Sequence, residues 1–374
     1  MDSIFIECFG GIPDPRIERT KKHLLLDVIA LAICGVLSGT ENWEEIEDFG
    51  REKEAWFSGF LALPNGIPSH DTIARVFSAL DPQGLQVCSM KWLKRISERL
   101  PENIISIDGK SLCGSKRITA CKKALHIVNA WSCANRICLG QLKVDDKSNE
   151  IPAVPELLKL LFIKGAIVTL DAMGAQEETV QQICDAEADY VIALKGNQGT
   201  LHEVVQKSFN IKGQRSQSID VYRASDRIVR DHGRKEARSI EVIPAIQLKN
   251  YIDPRWQQLN SLIRLTYKRT ELGKTLTDYR YYISSLAPDN PARLLQVIRS
   301  HWQVENSLHW SLDVTFKEDQ CRIRDENAAL NMSWLRKLCL GLLKNNTSFK
   351  ASIRRKQRKV CTNLTYLSKI IGQI

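Results

Sequence analysis

Two aspartates stand at the ends of short apolar runs that have the composition of buried strands. Asp108 ends the run in "NIISIDGKSL", and Asp171 ends the run in "GAIVTLDAMGA". A carboxylate in low-dielectric surroundings is costly unless a positive charge offsets it. Either aspartate alone has an ordinary explanation as a turn former or a helix cap. Together, on strands that can be neighbours, they indicate a divalent-cation site built from hard oxygen ligands.

A third acid lies far along the chain. Glu305 stands in the middle of "RSHWQVENSLHWSLDVTF", whose apolar and aromatic residues recur at helical spacing. We expect this helix to pack across the two strand ends and to bring Glu305 to them. We expect Trp302 and Trp310 to pack in the core and fix the helix in place.

A histidine metal site is the competing interpretation of the same helix. His301 and His309 lie four residues before and four residues after Glu305, and imidazole nitrogens suit zinc. The HExxH pattern is absent, however. Ligands spread over two helical turns span about 12 Å, which is too far for one ion. We therefore expect the histidines to bond phosphate, Glu305 or backbone.

The segments around the aspartates follow the order of three strands, helix, strand, helix, strand. This order predicts a mixed α/β layer in which hairpins join the first three strands and crossovers join the later ones. From about Gly199 to Asn290 the chain is polar and strand-rich, with an alternation near two. That segment contains "DHGRKEAR", in which a glycine turn presents Arg234, Lys235 and Arg238. Trp256, also in this segment, is a candidate for stacking on an unpaired base.

The N-terminal part, residues 15–98, has a helical pattern. Ser69 or Asp71 is predicted to cap a helix over residues 72–80, which Asp81-Pro82 ends. Two short helices joined by a Gly-Pro turn are compatible with a helix-turn-helix unit that contacts DNA. They are equally typical of a plain helical bundle.

Length and composition bound the class of protein. A chain of 374 residues with 43% hydrophobic and 26% charged residues predicts a folded protein of two or three domains. The longest apolar run, residues 23–37, is short and carries Asp27, and the N-terminus lacks the features of a signal peptide. Eleven cysteines at irregular spacings indicate reduced thiols and argue against structural zinc. We therefore expect a cytoplasmic protein without a membrane segment.

The positive charge of the chain is unevenly placed. The net charge is +10, and the last 28 residues contain no acid. A basic cluster of this kind is typical of a surface that binds nucleic acid, and equally of a solvated tail. Its positive residues are Lys350, Arg354, Arg355, Lys356, Arg358, Lys359 and Lys369.

The motifs together resemble a known family. The segments "IISIDGKSL", "TLDAMGAQ", "ALKGNQGTLHE", "HGRKEAR", "YYISSL" and "IRSHWQVENSLHWSLDVTFKEDQCRIR" are similar to the H-repeat-associated (ISAs-type) group of bacterial DDE transposases. The N-terminal "IPDPRIERTKKHLLLDVIALAICGVLSGTENWEEIEDFG" and "GIPSHDTIARV" resemble the associated N-terminal domain of that group. The resemblance is collinear over nearly the whole chain, which makes it more specific than any one motif.

The resemblance implies a domain plan and a set of functional residues. A ribonuclease-H-like catalytic core of mixed sheet would cover residues 99–198 and 291–346, interrupted by a β-rich insertion over residues 199–290. An α-helical DNA-binding domain would precede it over residues 1–98, and a basic tail would follow over residues 347–374. Asp108, Asp171 and Glu305 would form the catalytic triad and hold the metal. Candidate DNA contacts are Lys110, Lys195, Asn197, Gln198, Arg234, Arg238, Arg299, His301, Lys317, Arg354, Arg355, Lys356, Arg358 and Lys359, and the turn at His232 matches a family motif.

The resemblance also implies a reaction. Two Mg²⁺ (or Mn²⁺) ions about 4 Å apart would be held by the three acids. One would activate a water that attacks a phosphodiester, and the other would stabilise the leaving 3′ oxygen. The freed 3′-OH would then attack target DNA. The partners would be double-stranded DNA, namely the terminal inverted repeats of the element and the target, with a dimer expected on DNA. No small-molecule substrate is expected.

One departure from related insertion-sequence transposases concerns the residues around Glu305. Those relatives carry a Tyr-Arg-Glu-Lys signature, with Arg four residues before Glu and Lys seven after it. Here His301 and Leu312 occupy those positions, and Ile298 stands where the Tyr would fall. His301 is a candidate replacement for the arginine, and Arg299 and Lys317 are displaced candidates for phosphate contacts.

Two other functions remain open from the sequence. The first is a transposase-derived, catalytically inactive DNA-binding protein, which would bind ends without cutting them. The second is an unrelated hydrolase with a pair of strand-end carboxylates. The hydrolase would need a small-molecule pocket, and it leaves the basic C-terminal segment and the basic turn unexplained.

Overall fold

A computed structural model of the chain describes residues 3–96, 104–116, 124–145, 149–210, 219–231 and 233–372. His232, part of the basic turn noted above, lies outside these residues. Within the described ranges the helices are α1 (Ser3–Phe9), α2 (Leu25–Ser38), α3 (Trp43–Glu52), α4 (Glu54–Phe57), α5 (His70–Ala79), α6 (Pro82–Ile96), α7 (Glu150–Lys159), α8 (Glu177–Asp185), α9 (Gly199–Asn210), α10 (Pro291–His301), α11 (Trp310–Val314), α12 (Glu326–Asn345), α13 (Ile353–Thr362) and α14 (Leu364–Ile371). The strands are β1 (Ile104–Leu112), β2 (Leu125–Ser132), β3 (Ile137–Lys143), β4 (Ile167–Leu170), β5 (Asp189–Leu194), β6 (Tyr222–Ser225), β7 (Val229–Asp231), β8 (Arg234–Pro244), β9 (Ser261–Glu271) and β10 (Lys274–Ser284).

The chain divides into two units. The helical unit comprises Met1–Pro101, Gly109–Asp146 and Glu305–Ile374, and the sheet unit comprises Glu102–Asp108 and Lys147–Val304. Strand β1 begins in the sheet unit and continues into the helical unit, and the boundary falls directly after Asp108.

The sheet unit is built on one mixed sheet in the order β1-β4-β5-β10-β9-β8-β6, with β7 paired to β8. Strands β1, β4 and β5 are parallel, and β10 joins β5 in antiparallel pairing. The core of this sheet contains the apolar runs recognised in the sequence, including the fully buried Val168 and Ile192. The order β1, β2, β3, α7, β4, α8, β5 confirms the predicted succession of elements.

The segment predicted as a β-rich insertion continues this same sheet. Residues 199–210 form the helix α9, so the strand-rich part begins only after it. Strand β10 pairs with β5 over four residues, and β8, β9 and β10 are paired along almost their full lengths. Trp256 in this segment is 5% exposed. The expectation that it stacks on an unpaired base was wrong, because its ring is already packed in the protein.

The helical unit packs around α12, which is buried along most of its length. Helix α2 is also almost wholly buried, since its apolar residues leave no polar face. Asn331 on α12 donates its side-chain amide to the carbonyls of Phe77 and Leu80, at the end of α5. These bonds satisfy carbonyl groups that a helix end leaves without a partner.

The helix predicted over residues 72–80 is present as α5, which covers His70–Ala79, and of the two predicted caps it uses Ser69. Ser69 is the N-cap of α5, and its side chain accepts a hydrogen bond from the Thr72 backbone amide. The helix ends at Ala79 and α6 begins at Pro82, where the Asp81 carboxylate accepts from the Gly84 amide.

The basic C-terminal segment is folded. Residues 353–371 form α13 and α14, whose buried residues include Val360 and Leu367. Lys356 is buried, and its Nζ donates to the carbonyls of Leu343 and Asn346, 2.7 Å away in each case. Part of the predicted basic tail therefore closes the end of α12 instead of extending into solvent.

No single helix in the described ranges is long and apolar enough to cross a membrane. Helices α2 and α3 pass that test of length and composition only as a pair, and the pair is bent by 96°.

Candidate active site

The sheet unit places the two aspartates at equivalent positions on neighbouring strands. Strands β1 and β4 pair in parallel, and Ile107 lies opposite Leu170. Asp108 and Asp171 each follow directly after those paired residues. Both carboxylates therefore stand at the carboxyl edge of two adjacent parallel strands. The sequence predicted only that the two strands could be neighbours. Both side chains are partly exposed.

A pair of hydroxyl side chains lies two residues before the aspartates. Ser106 and Thr169 face each other in the strand register, and both are buried. Because side chains alternate between the faces of a strand, each hydroxyl lies on the face of the aspartate that follows it. Neither hydroxyl was among the predicted site residues. The signal was the polar residue in "ISID" and in "VTLD", at a spacing of two from each acid within otherwise apolar runs.

These hydroxyls connect to His301 at the end of α10. The Thr169 hydroxyl donates to the Ser106 hydroxyl at 3.0 Å, and it lies 3.0 Å from His301 Nδ1. A hydroxyl has one hydrogen to donate, so Nδ1 is the protonated nitrogen and donates to Thr169. Burial lowers the pKa of His301 to about 4, although the Asp171 charge opposes this shift. His301 is therefore neutral at neutral pH.

The carboxylate of Asp171 is oriented by its own loop. Asp171 caps a short 3₁₀ turn over Ala172–Gly174, and its Oδ1 accepts from the backbone amides of Met173 and Gly174. In the described part of the chain its Oδ2 accepts no hydrogen bond. One carboxylate oxygen is thus held by the fold and the other is available to a ligand.

Two residues of the "KGNQ" motif hold that loop. Asn197 donates its side-chain amide to the Ala172 carbonyl at 2.6 Å, and Gln198 donates to the Ala175 carbonyl at 2.7 Å. Both residues lie just after β5, the neighbour of β4. Their side chains therefore position the backbone that follows Asp171, while the neighbouring Lys195 is exposed.

Glu305 lies on a π-helical turn and not in the middle of a regular helix. Helix α10 ends at His301, a π-helical turn covers Val304–His309, and α11 begins at Trp310. Single π-helical turns are rare and occur often at functional sites. The wide turn breaks the spacing of 3.6 residues, so Glu305 and His309 do not continue the regular α-helix that ends at His301. The Glu305 side chain is exposed.

The anchors of this turn are not the tryptophans. Val304, Leu308 and Leu312 are fully buried. Trp310 is 58% exposed, so its predicted place in the core was wrong. Trp302 is 37% exposed and lies over the guanidinium of Arg280, 4.8 Å from the ring centre. Trp310 is exposed because the π-helical turn shifts the residues after it off the face that a continuous α-helix would bury.

Lys110 belongs to a buried network in the helical unit. Its Nζ lies 2.6 Å from Asp313, and the carboxylates of Glu318 and Asp319 lie within 3.8 Å. Although burial lowers the pKa of Lys110, the hydrogen bond to Asp313 and the charge of Glu318 raise it above its ordinary value overall. Lys110 was predicted to contact DNA. In the structure its ammonium lies beside three carboxylates, and these contacts hold the part of β1 that follows Asp108.

Oxygen ligands of the kind that Mg²⁺ prefers are present at the strand edge. Asp108 and Asp171 fit a divalent cation by charge, by donor type and by the available Asp171 Oδ2. Within the described residues, no group of three or more His, Cys, Asp or Glu side chains is close enough to hold a metal ion. Of the three predicted ligands, the strand register relates the positions of Asp108 and Asp171.

Comparison with known proteins identifies the family. A model of the transposase DDE domain matches residues 77–342, and a model of the DDE_Tnp_1-associated domain matches residues 6–93. The chain belongs to the DDE transposase family. Members of this family generally use divalent metal ions.

The relatives of this transposase-family chain include two that match 98% of its length. "H repeat-associated putative transposase YhhI" of Escherichia coli (strain K12) is 38% identical over 98% of this chain and 97% of its own length. "Putative transposase YncI" of Escherichia coli O157:H7 is 38% identical over 98% of this chain and 94% of its own length. A shorter relative, "Inactive transposase YbfQ" of Escherichia coli (strain K12), is 48% identical over 18% of this chain and 79% of its own length. The predicted resemblance to the H-repeat-associated group is confirmed.

The remaining candidate DNA contacts of this transposase-family chain fall into two groups. Three of them form ion pairs in the sheet unit: Arg234 with Glu271, Arg238 with Glu236, and Arg299 with Asp226. The others lie in the helical unit, where Arg354 and Arg358 are exposed and Lys317 adopts a positive φ of 55°. Arg355 and Lys359 lie over the ring of Phe349.

Proposed function

We propose that this protein is the transposase of an insertion sequence, which binds the terminal inverted repeats of its element and cleaves and transfers DNA strands. The observation that carries the proposal is the in-register pair of Asp108 and Asp171 at one strand edge. The family supports the same reaction, and Glu305 stands where the third acid of a DDE triad is expected.

The metal ligands in this proposal are Asp108, Asp171 and Glu305. Two Mg²⁺ or Mn²⁺ ions would be held there, and they would supply Lewis-acid activation of water and of the scissile phosphate. The chain reaches Glu305 four residues after His301, whose imidazole is bonded to Thr169 on β4. This connection supports the assignment of Glu305 as the third ligand.

The residues around the aspartates keep the carboxylates in position. The amides of Met173 and Gly174 hold one oxygen of Asp171. The hydrogen-bonded series Ser106, Thr169 and His301 fills the space on the same face with neutral polar groups. A neutral His301 adds no positive charge that would compete with a metal cation for Asp171.

DNA binding in this proposal uses cations on both units, of which Lys195, Arg354 and Arg358 are exposed and Lys317 is half-buried. Lys195 lies in the loop after β5, and Lys317, Arg354 and Arg358 lie in the helical unit. Arg355 and Lys359 also belong to the basic helix α13. Arg299 and His301 lie at the end of α10, where they would be near a phosphate that reaches the aspartates. We expect two copies to act together on the two ends of the element.

The test is cleavage of the DNA that flanks the gene. Duplexes carrying the flanking inverted repeats are incubated with the full chain and Mg²⁺ or Mn²⁺, and with EDTA as the control. We expect divalent-dependent nicking at the ends by the wild type and none by Asp108→Asn, which should bind the same duplex nearly as well. Full cleavage by Asp108→Asn would show that the assignment of the site is wrong. Binding without cleavage by the wild type would favour the inactive DNA-binding protein.

A further inference from the structure

The paired strands β7, β8, β9 and β10 form a ribbon with two chemically different faces. Side chains that lie opposite each other in the register share a face, and the faces alternate along each strand. Arg234, Glu271 and Lys274 are opposite one another, and so are Glu236 and Arg269. One position along, Lys235 lies opposite Arg230 on one side and Thr270 on the other.

The first face is neutralised by its own ion pairs. Arg234 and Arg269 both contact Glu271, and Arg238 contacts Glu236. Acids and bases are interleaved on this face, so their fields largely cancel outside the protein.

Near the tip of the ribbon the second face carries cations without acids, whereas Glu241, further along β8 on the same face, is paired with Arg223 and Arg264. Its register positions contain Arg230, Lys235 and Lys268, together with Thr270, Thr275 and Thr277. Arg230, Lys235 and Lys268 are exposed, and within the described residues none of them forms an ion pair. No carboxylate occupies a position of this face in the described register between Lys235 and Ser239 on β8, or between Thr266 and Thr270 on β9.

The tip of the ribbon adds a shallow depression of about 400 Å³ to which both faces contribute. It is lined by Arg230, Gly233, Arg234, Lys235, Thr270, Leu272 and Gly273. Both turns at the tip use a glycine with positive φ, Gly233 and Gly273, each at 76°. A side chain there would be strained, so both tight turns depend on glycine. The depression therefore lies at a defined end of the ribbon, beside the cationic face.

We infer that the face bearing Arg230, Lys235 and Lys268, called here the threonine face, binds the sugar-phosphate backbone of double-stranded DNA. Lysine, arginine and threonine side chains are the groups that commonly donate to phosphate oxygens. Three cations without acids near the tip provide the charge complementarity. The threonines place hydroxyl groups beside them, although Thr270 and Thr275 also bond each other at 2.9 Å. The inference rests on the proposed function for its partner. It assigns DNA binding to the opposite face from the one that carries Arg234 and Arg238.

The experiment compares two triple variants of the full chain that remove the same charge from opposite faces. The first is Arg230→Gln with Lys235→Gln and Lys268→Gln. The matched control is Arg234→Gln with Arg269→Gln and Lys274→Gln. Binding to a labelled duplex from the flanking DNA, and to a random-sequence duplex of equal length, is measured over a series of salt concentrations. Thermal unfolding of both variants checks that each is folded.

The threonine-face variant should bind both duplexes more weakly by roughly tenfold or more at low salt, since bonds to phosphate carry no sequence information. The slope of log K against log salt should fall by about 0.9 for each phosphate that the variant no longer neutralises, or about 2.7 for three. The control should keep the slope of the wild type. A Lys235→Arg, Lys268→Arg variant should bind like the wild type, because it keeps the charge.

Equal weakening of binding in the two triple variants, or a larger effect in the control, would overturn the assignment of the threonine face while leaving the proposed function intact. If the wild type binds neither duplex, the proposed function and the face assignment both fail.

Discussion

Asp171 and Glu305 are held in opposite ways. Asp171 follows a fully paired, buried strand, and two backbone amides fix one of its oxygens. Glu305 is exposed on a π-helical turn whose buried residues Val304 and Leu308 are apolar. The comparison indicates that the fold fixes the carboxylate of Asp171, whereas the position of Glu305 depends on the packing of one unusual turn.

The largest loss of stability should come from removing Leu308, a buried residue that anchors the π-helical turn. Leu308→Ala removes a fully buried side chain and should lower the free energy of unfolding by roughly 2–5 kcal/mol. End cleavage should fall with it, because Glu305 stands on the turn. Trp310→Ala is the matched control, and its 58% exposed side chain should change stability by less than about 0.5 kcal/mol. Chemical denaturation measures both, and a larger loss of stability for Trp310→Ala would contradict this account of the turn.

A smaller difference in stability should distinguish the structural roles of Asp171 and Glu305. Asp171→Ala removes the acceptor for two loop amides and should cost about 1 kcal/mol of stability, whereas Asp171→Asn keeps an acceptor and should cost less. Glu305→Ala should leave stability within about 0.5 kcal/mol, because the side chain is exposed. All three variants should lose cleavage. Equal stability costs for Asp171→Ala and Glu305→Ala would remove the distinction between a held and an exposed acid.

The last prediction is a pH dependence of stability that arises from Glu47, an acid outside the proposed site that is also held by hydrogen bonds. Its Oε2 accepts from the backbone amide and from the ring of His70, and these bonds lower its pKa from 4.5 to about 2. A lowered carboxyl pKa stabilises the fold above pH 4.5, and that stability is lost as the pH falls towards 2. Glu47→Gln should flatten the pH dependence of unfolding in this window. An unchanged profile would show that the His70 bonds do not matter for stability.

The sequence predicted the parts of the site that depend on local pattern. An apolar run that ends in Asp is visible within a few residues, and so are the order of strands and helices and the Ser69 cap. The parallel pairing and the register of β1 against β4 come from the structure, because the sequence indicated only that the two strands could be neighbours. The hydroxyls Ser106 and Thr169 were predictable in principle from their spacing of two from each aspartate.

Other features depend on residues that are far apart in the chain. Lys110 and Asp313 are separated by 203 residues, so no local pattern distinguishes a buried, paired lysine from one that contacts phosphate. The same holds for Arg234 and Glu271, and for Lys356 at the end of α12. The π-helical turn has a different cause. Apolar residues at helical spacing predict an α-helix. The one widened turn leaves Trp310 exposed, and the composition of the segment does not indicate that turn.

The central claim is that Asp108, Asp171 and Glu305 form one metal site, and Mn²⁺ binding to the full chain tests it most directly. Electron paramagnetic resonance would report bound Mn²⁺ in the wild type, in Asp108→Asn, Asp171→Asn and Glu305→Gln, and in Glu203→Gln, which removes an exposed acid elsewhere in the sheet unit. We expect each of the three site variants to weaken Mn²⁺ binding, while the Glu203→Gln control binds like the wild type. Binding by Glu305→Gln that equals the wild type would contradict the claim and leave the two aspartates as a site without the glutamate.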